Sequence, residues 1–208
     1  KVIAEAILEL RTNQRTPDGR LFASPMDLWR HARELQCGFF NMWDPEPPTE
    51  WLVVRKEWWR QRLDVQGRYR LNTFGHVSKL LQQGHFDKKE PDLVSAWRAW
   101  EAVRLTYTYD VVPEWLDDSM VERCATWLEQ NPNGLLWCEF PALGERVAER
   151  TGHPFYRHKA LDVAGQHILR HPKGRPALAS VKSCAYALNL QYLFSRAAYS
   201  TPMSTNSM

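Results

Sequence analysis

Apolar residues in the first part of the chain recur with the period of an α-helix. In the stretch "ASPMDLWRHARELQCG" they occupy one helical face: Leu28, Ala32 and Leu35. Ser24 is placed to cap this helix, and Asp27 follows three residues later in a capping-box pattern. Pro25 suits the first turn, and Gly38 is expected to end the helix.

Two further helices are predicted before residue 118. The proline-rich stretch "NMWDPEPPTEW" indicates a connection, and Thr49 is placed to cap the helix after it. The apolar stripe of that helix consists of Trp51, Val54 and Trp58. Another helix is expected to begin at Pro91, while residues 66–89 are too polar and too weakly patterned to assign.

From about Ser119 the pattern changes to helices that alternate with short apolar runs. Ser119 and Glu122 form a capping-box pattern, "PALGERVAERTG" predicts a helix ending at Gly152, and Asp162 is expected to open a helix through "VAGQHILRH". Four strands are predicted in "GLLWCEF", "PFYRH", "PALASVK" and "SRAAYSTP". Short connections between alternating strands and helices favour an α/β fold with a parallel sheet and flanking helices.

This change of pattern predicts two domains. Residues 1–118 form a mainly helical segment, and residues 119–208 form an incomplete parallel α/β domain.

The composition says little about binding partners but indicates the cellular compartment. The net charge of +3 neither requires nor excludes a polyanionic ligand. The four cysteines form no CxxC pair, which is typical of reduced thiols, and Cys124 and Cys138 are expected to be buried. No apolar run reaches the roughly 18 residues of a membrane span, and no signal peptide is visible. We therefore expect a cytoplasmic protein with no membrane partner.

The candidate ligand-binding residues lie in "ALASVKSCAYALNLQ". Ser180 and Lys182 come at the end of a predicted buried strand, and Asn189 and Gln191 follow in the loop after it. Because ligands of parallel sheets bind outside the carboxyl ends of strands, these polar side chains are expected to face a ligand.

This stretch, together with "GLLWCEFPALGERVAERTGHPFY", resembles the second RecA-like lobe of superfamily 2 helicases of the Swi/Snf type, in particular the helicase-like ATPases of bacteriophages. The earlier stretch stands where that family has motif IV, and residues 180–191 match motif V in register. Upstream, "FASPMDLWRHARELQCGFFNMWDPEPPTEWLVVRKEWW" resembles the helical segment between the two lobes. The chain also begins at Lys1 without methionine, so we expect a piece of a longer protein that stops before motif VI.

The resemblance implies that Ser180 and Lys182 contact nucleic-acid phosphates, with DNA as the expected ligand and a bacterial host cell as the setting. It also implies that Asn189 and Gln191 shape the motif V loop or border the ATP cleft. ATP and Mg²⁺ would belong to the intact parent, whose missing first RecA-like lobe is the second partner, and neither would be bound by this chain alone. The sequence departs from the family at Ala185 and Ala187, where glycines are common and where alanine restricts positive φ and close phosphate approach.

The chain itself contains no recognisable set of catalytic residues. It contains no G-x-x-x-x-G-K-[ST] phosphate loop and no recognisable acidic box, and it ends where the arginine finger of motif VI would begin. A non-catalytic nucleic-acid-binding or adaptor module derived from a helicase lobe is the alternative interpretation. An unrelated small α/β enzyme is a third.

Three other groups of residues have both a functional and a structural interpretation. The basic residues around Trp58 could form a nucleic-acid-binding face or be merely solvated charges: Arg55, Lys56, Arg60 and Arg62. Most tryptophans lie at helical spacings typical of a core, and Trp43 is the exception that could stack on a base. His167 and His171 have the spacing of two zinc ligands on a helix, but without a third ligand we expect them to be solvent-facing and expect no metal site.

Overall fold

The structure is a computed structural model that describes residues 2–13, 16–17, 25–71, 73–184 and 188–201, apart from the side chains of residues 25–27 and 74. Its elements in chain order are α1 (Val2–Asn13), α2 (Pro25–Gln36), β1 (Phe39–Asp44), α3 (Thr49–Arg68), α4 (Phe74–Gln82), α5 (Pro91–Val103), β2 (Asp110–Trp115), α6 (Ser119–Gln130), β3 (Gly134–Cys138), α7 (Pro141–Thr151), β4 (Phe155–Tyr156), β5 (Ala177–Ser180), α8 (Val181–Cys184) and β6 (Arg196–Tyr199).

These elements belong to two compact units. The helical unit comprises the described residues of Leu21–Asp27 and Met42–Val112, and the sheet unit comprises those of Lys1–Arg20, Leu28–Asn41 and Pro113–Met208. Strands β1 and β2 pair in a two-stranded sheet of their own, and the division between the units falls within both strands. The predicted domain boundary at residue 118 stays a prediction.

The helical unit is built on the packing of α3 along α5, with α4 against α3. Its core holds buried side chains from all three helices and from the turn after α4: Trp58, Val65, Val77, Leu81, Phe86 and Leu93. The predicted start at Pro91 is confirmed, as is the burial of Trp51 and Trp58. Thr49 is the first residue of α3 and does not cap it, because the N-cap position is Pro48, with no side-chain hydrogen bond.

Four elements of residues 1–118 lie where the sequence pattern predicted none: α1, β1, α4 and β2. Helix α4 occupies part of the unassigned stretch 66–89, and its N-cap Thr73 accepts a hydrogen bond from the backbone N–H of His76. Strand β1 occupies the first part of the stretch interpreted as a connection. The capping box of Ser24 and Asp27 lies outside what the structure describes, but α2 spans the predicted residues and Gly38 follows it with φ of 92°.

The sheet unit has a four-stranded sheet in the order β4–β5–β3–β6, and its three strand pairings are all parallel. Strands β3 and β5 are central, with Leu136 opposite Leu178 and Cys138 opposite Ser180. All four predicted strands are therefore confirmed, as is the α/β class with flanking helices. The finer RecA-like identity stays a prediction.

Successive residues of the central strands point to opposite faces of the sheet, and both faces are covered. Leu136 and Leu178 pack in one cluster with side chains of α6 and α7, whereas Leu135 and Ala177 pack in another with Leu190, Leu193 and Phe194. Cys124 and Cys138 are buried in the first cluster, as expected. Gly152 ends α7 in the left-handed conformation, also as expected.

Two local predictions in this unit are wrong. Residues 162–171 do not form an α-helix, because Asp162 Oδ1 accepts hydrogen bonds from the backbone N–H groups of Ala164 and Gln166 and closes a turn. Only a short 3₁₀ turn, Ile168–Arg170, follows. Ser119 does not form a capping box with Glu122, because its hydroxyl binds Asp117 while Glu122 binds Arg150.

The packing of α7 on β4 yields the first prediction. A Cβ added at Gly144 would lie 2.4 Å from the Phe155 ring, so Gly144→Ala should lower the free energy of unfolding by about 1–3 kcal/mol. In Gly67→Ala the new methyl group meets no atom within 4 Å, and this control should be neutral or slightly stabilising. Urea unfolding measures both, and a Gly144→Ala variant as stable as the parent would contradict the packing.

Candidate ligand-binding site at the carboxyl edge of the sheet

The connections that leave β3 and β5 run to opposite faces of the sheet. After β3 the chain enters α7, whose Leu143 and Val147 pack on one face. After β5 it continues to Leu190 and Leu193, which pack on the other. In open α/β sheets the crevice between two such neighbouring strands, at their carboxyl ends, is where ligands bind.

A cavity of about 380 Å³ lies at this edge. It is open to solvent and is lined by the beginning of α7, the loop after β4 and the end of β5: Pro141, Arg157, His158, Leu161, Asp162, Ser180 and Ser183. We call it the edge cavity. Two hydroxyl groups, a guanidinium group and an imidazole in one cavity suit an anionic ligand, since all four can donate hydrogen bonds.

Ser180 is the predicted site residue that lines the edge cavity. It is the last residue of β5 and is only 5% exposed, so the strand pairing with Cys138 holds it firmly in place. Lys182 lies two residues later on the short helix α8 and is exposed. The chain therefore presents a hydroxyl group and an ammonium group at the same end of a central strand.

The loop after β4 supplies groups that the sequence analysis missed. Arg157 and His158 directly follow β4, and polar residues after a buried strand were the same signal that identified Ser180. Arg157 also forms an ion pair with Glu145 of α7. In this loop Lys159 and Ala160 both have φ of 55°, a left-handed conformation that costs residues with a Cβ roughly 1–3 kcal/mol.

A buried pair of side chains anchors this loop. His171 Nε2 lies 2.9 Å from the carbonyl oxygen of Arg175, which can only accept a hydrogen bond, so Nε2 carries the proton. In the neutral imidazole, Nδ1 is then an acceptor, and the Tyr156 hydroxyl donates to it over 3.0 Å. Burial, with a smaller contribution from Asp162, raises the pKa of Tyr156 to about 12 and keeps the hydroxyl protonated. The expectation of a solvent-facing His171 on a helix is wrong.

The ends of β3 and β6 at the same edge carry a different arrangement. Arg33 of α2 donates to Glu139 Oε1 over 2.8 Å, and the hydroxyl of Thr201 donates to Glu139 Oε2 over 3.2 Å. Arg33 is only 11% exposed, so this ion pair is largely shielded from water. Since these groups bind one another, the edge cavity is the better candidate for an external ligand.

Asn189 and Gln191 form a local turn. Asn189 Oδ1 accepts a hydrogen bond from the backbone N–H of Gln191 over 3.3 Å, and both residues are exposed. The role of these two residues at a ligand stays a prediction. Ala185 and Ala187 lie outside the described residues.

Arg55 and Arg60 belong to the helical unit and have different surroundings. Arg60 is exposed and donates to Glu57, with Nε 2.9 Å from Oε2. Arg55 is half-buried, and its guanidinium carbon lies 4.8 Å from the ring centre of Trp43. Arg62 is buried rather than part of an exposed basic face.

The cysteines are poor nucleophiles. Burial raises the pKa of Cys184 to about 11, and the thiol donates to the carbonyl oxygen of Tyr156 over 3.5 Å. Burial also raises the pKa of Cys124 to about 11. Both thiols are therefore protonated at neutral pH, and a protonated thiol is not the reactive form.

Within the described part of the chain, no three histidine, cysteine, aspartate or glutamate side chains are arranged to hold a metal ion. Within the same residues, no helix combines the length and the apolar character needed to cross a membrane.

Comparison with known proteins finds no matching family model, no matching curated protein and no matching solved structure. The functional interpretation therefore rests on the edge cavity and on the sequence motifs that surround it.

The anchor of the cavity loop yields the second prediction. Tyr156→Phe removes the donor to a buried imidazole nitrogen, which should lower the free energy of unfolding by about 1–3 kcal/mol in urea. Tyr192→Phe is the matched control, because its hydroxyl makes only a 3.5 Å contact at a side chain that is 52% exposed. Equal stability of the two variants would show that the Tyr156 hydrogen bond does not hold the loop.

Proposed function

We propose that this chain is part of a phage-type superfamily 2 helicase or DNA-dependent ATPase, in which it grips the nucleic-acid backbone. The sheet unit would be most of the second RecA-like lobe, and the helical unit would be the segment between the lobes. The observation that carries the proposal is the position of Ser180, at the carboxyl end of a central parallel strand and in the wall of a cavity shared with Arg157.

The chemistry of the edge cavity suits a phosphodiester. Phosphate oxygens accept hydrogen bonds from hydroxyl, guanidinium and imidazole groups, and such contacts position a strand without reading its sequence. Ser180 and Ser183 would donate to a phosphate, Arg157 and Lys182 would supply positive charge, and Asp162 would limit how deeply an anion enters. The affinity of the isolated chain would be modest, because Glu145 already neutralises part of the charge of Arg157.

Under this proposal ATP and Mg²⁺ are held by the missing first lobe. No catalytic step is assigned to this chain, whose sequence holds no phosphate loop. The alternative, a non-catalytic binding or adaptor module, would use the same cavity and would differ only in lacking an ATPase partner. In that family motif V borders the nucleotide cleft. In the intact ATPase, the bound nucleotide would therefore change how tightly the edge cavity holds the nucleic-acid strand.

The third prediction tests the grip on the backbone. Lys182→Gln should weaken binding of single-stranded DNA and reduce the slope of log affinity against log salt concentration by about one, since one phosphate contact is lost. Fluorescence anisotropy over a salt series measures the slope. Ser180→Ala should weaken binding as well, with little change in the slope.

Lys173→Gln is the matched control, because Lys173 is an exposed lysine that precedes β5 and so lies toward the amino end of the same strand. It should leave the slope unchanged. An equal effect of both lysine variants would indicate diffuse electrostatic attraction, and an absence of binding at low salt would remove the nucleic-acid role from the isolated chain.

A further inference from the structure

One wall of the edge cavity carries a carboxylate, although the other polar side chains of the cavity can all donate hydrogen bonds to an anion. The carboxylate belongs to Asp162, which is half-buried and lies in the loop after β4. A phosphate alone gains nothing from a carboxylate in the same cavity, because the two negative charges repel each other. The position of Asp162 therefore indicates that the ligand also carries a group that donates a hydrogen bond.

The two carboxylate oxygens of Asp162 have different surroundings. Oδ1 accepts hydrogen bonds from the backbone N–H groups of Ala164 and Gln166, over 2.9 and 2.8 Å. In the part of the chain that the structure describes, no residue donates a hydrogen bond to Oδ2 or forms an ion pair with it. Oδ2 is therefore free to accept a hydrogen bond from a ligand in the cavity.

The backbone of this loop holds the carboxylate in place. The backbone N–H of Asp162 donates to the carbonyl oxygen of Gln166 over 3.0 Å, and its carbonyl oxygen accepts from the N–H of Gly165 over 3.1 Å. Leu161 and His167 form an antiparallel bridge at the base of the same turn. Because Asp162 is already ordered by these contacts, little conformational entropy is lost when a ligand binds to it.

The rest of the cavity lining indicates which donor lies opposite Asp162. Pro141 and Leu161 add apolar surface, which suits the carbon atoms of a sugar ring. None of the described lining residues is a phenylalanine, tyrosine or tryptophan on which a base could stack. In a nucleic-acid strand the group next to the phosphate is the sugar, and the 2′-hydroxyl of ribose is a donor that DNA lacks. Carboxylates accept hydrogen bonds from ribose hydroxyls in the dinucleotide-binding sites of other parallel α/β proteins.

We propose that the edge cavity prefers RNA to DNA, because Asp162 Oδ2 accepts a hydrogen bond from a ribose 2′-hydroxyl whose neighbouring phosphate is held by Ser180 and Arg157. Asp162 is then a residue that determines the specificity of the cavity. The inference rests on the proposed function for its phosphate contacts, and it differs from the DNA that the sequence resemblance implies. A free ribonucleotide would offer the same chemistry as an RNA strand, so the test distinguishes these two sources.

The first part of the test uses the parent chain and three strands that differ only at the 2′ position. Fluorescence anisotropy at low salt compares labelled oligouridines of about ten nucleotides that carry a 2′-hydroxyl, a 2′-hydrogen or a 2′-fluoro group. We expect the 2′-hydroxyl strand to bind about tenfold more tightly than the 2′-hydrogen strand, because only the former donates to the charged acceptor. The 2′-fluoro strand keeps the sugar pucker of RNA but cannot donate, so it should bind like the 2′-hydrogen strand.

The variant Asp162→Asn separates the ligand contact from the turn. The amide oxygen of asparagine can accept both hydrogen bonds that Oδ1 accepts, so the turn is kept, while an NH₂ group replaces the second oxygen. The ratio of 2′-hydroxyl to 2′-hydrogen affinity should fall from about tenfold to about threefold or less, because the charged acceptor is lost. Loss of a negative charge should raise the affinity for both strands together, so the ratio is the quantity to measure.

Asp117→Asn is the matched control. Asp117 Oδ1 accepts from the backbone N–H of Ser119 over 2.7 Å, so this residue also closes a turn through one carboxylate oxygen. It is half-buried like Asp162 but does not line the edge cavity. The control variant removes the same charge and should leave the ratio at the parent value. Circular dichroism verifies that both variants are folded.

Four results would overturn the proposal. Three concern the sugar: equal binding of the 2′-hydroxyl and 2′-hydrogen strands, binding of the 2′-fluoro strand as tight as that of RNA, or an unchanged ratio in Asp162→Asn. The fourth is competition by uridine 5′-monophosphate as effective as that by oligouridine at equal concentration, which would assign the cavity to a free nucleotide.

The outcome is distinct from that of the proposed function. If Lys182→Gln weakens DNA binding while the parent chain does not distinguish the two sugars, the phosphate contacts stand and the role of Asp162 fails. If the sugar preference depends on Asp162 while Lys182→Gln has no effect, the ribose contact stands and the Lys182 contact fails. If the parent chain binds neither strand at low salt, both proposals fail.

Discussion

The parallel pairing of β3 with β5 is the contact on which the rest of the sheet unit depends. It aligns four residue pairs, from Leu135 opposite Ala177 to Cys138 opposite Ser180, and it leaves both strands buried on both faces. Because both faces must be covered, the connections after the two strands run to opposite sides of the sheet. The crevice between their carboxyl ends follows directly, and it places Ser180 beside the loop after β4.

Much of this unit was predictable because continuous apolar runs specify buried parallel strands, as in the central strands β3 and β5. The edge strands β4 and β6 were predicted from shorter runs between turns. The predictions failed where a side chain competes with the backbone. Asp162 carries a helix-start signal, yet its carboxylate closes a turn, and Gly165 continues that turn with φ of 76°. Helix α4 was missed because nine residues give too few turns for a clear period. Arg157 and His158 could have been predicted by the rule that identified Ser180, because both directly follow a strand.

The helical unit shows why a run of basic residues in a sequence is ambiguous. Arg55 and Arg60 look equivalent along α3, but Arg60 lies three residues from Glu57 and binds it, whereas Arg55 stacks on Trp43. The first contact was predictable from helical spacing alone. The second was not, because Trp43 reaches α3 only through β1, which the proline-rich sequence concealed.

The central claim is that the carboxyl edge of the sheet, at the ends of β4 and β5, is the surface that receives the nucleic-acid backbone. Hydrogen–deuterium exchange with and without single-stranded DNA at low salt tests it most directly, because it reports every segment of the chain at once. The account predicts slower exchange in residues 157–162 and 180–184, and unchanged exchange in residues 172–176 before β5. Unchanged exchange at the carboxyl edge under conditions in which DNA is bound would contradict it.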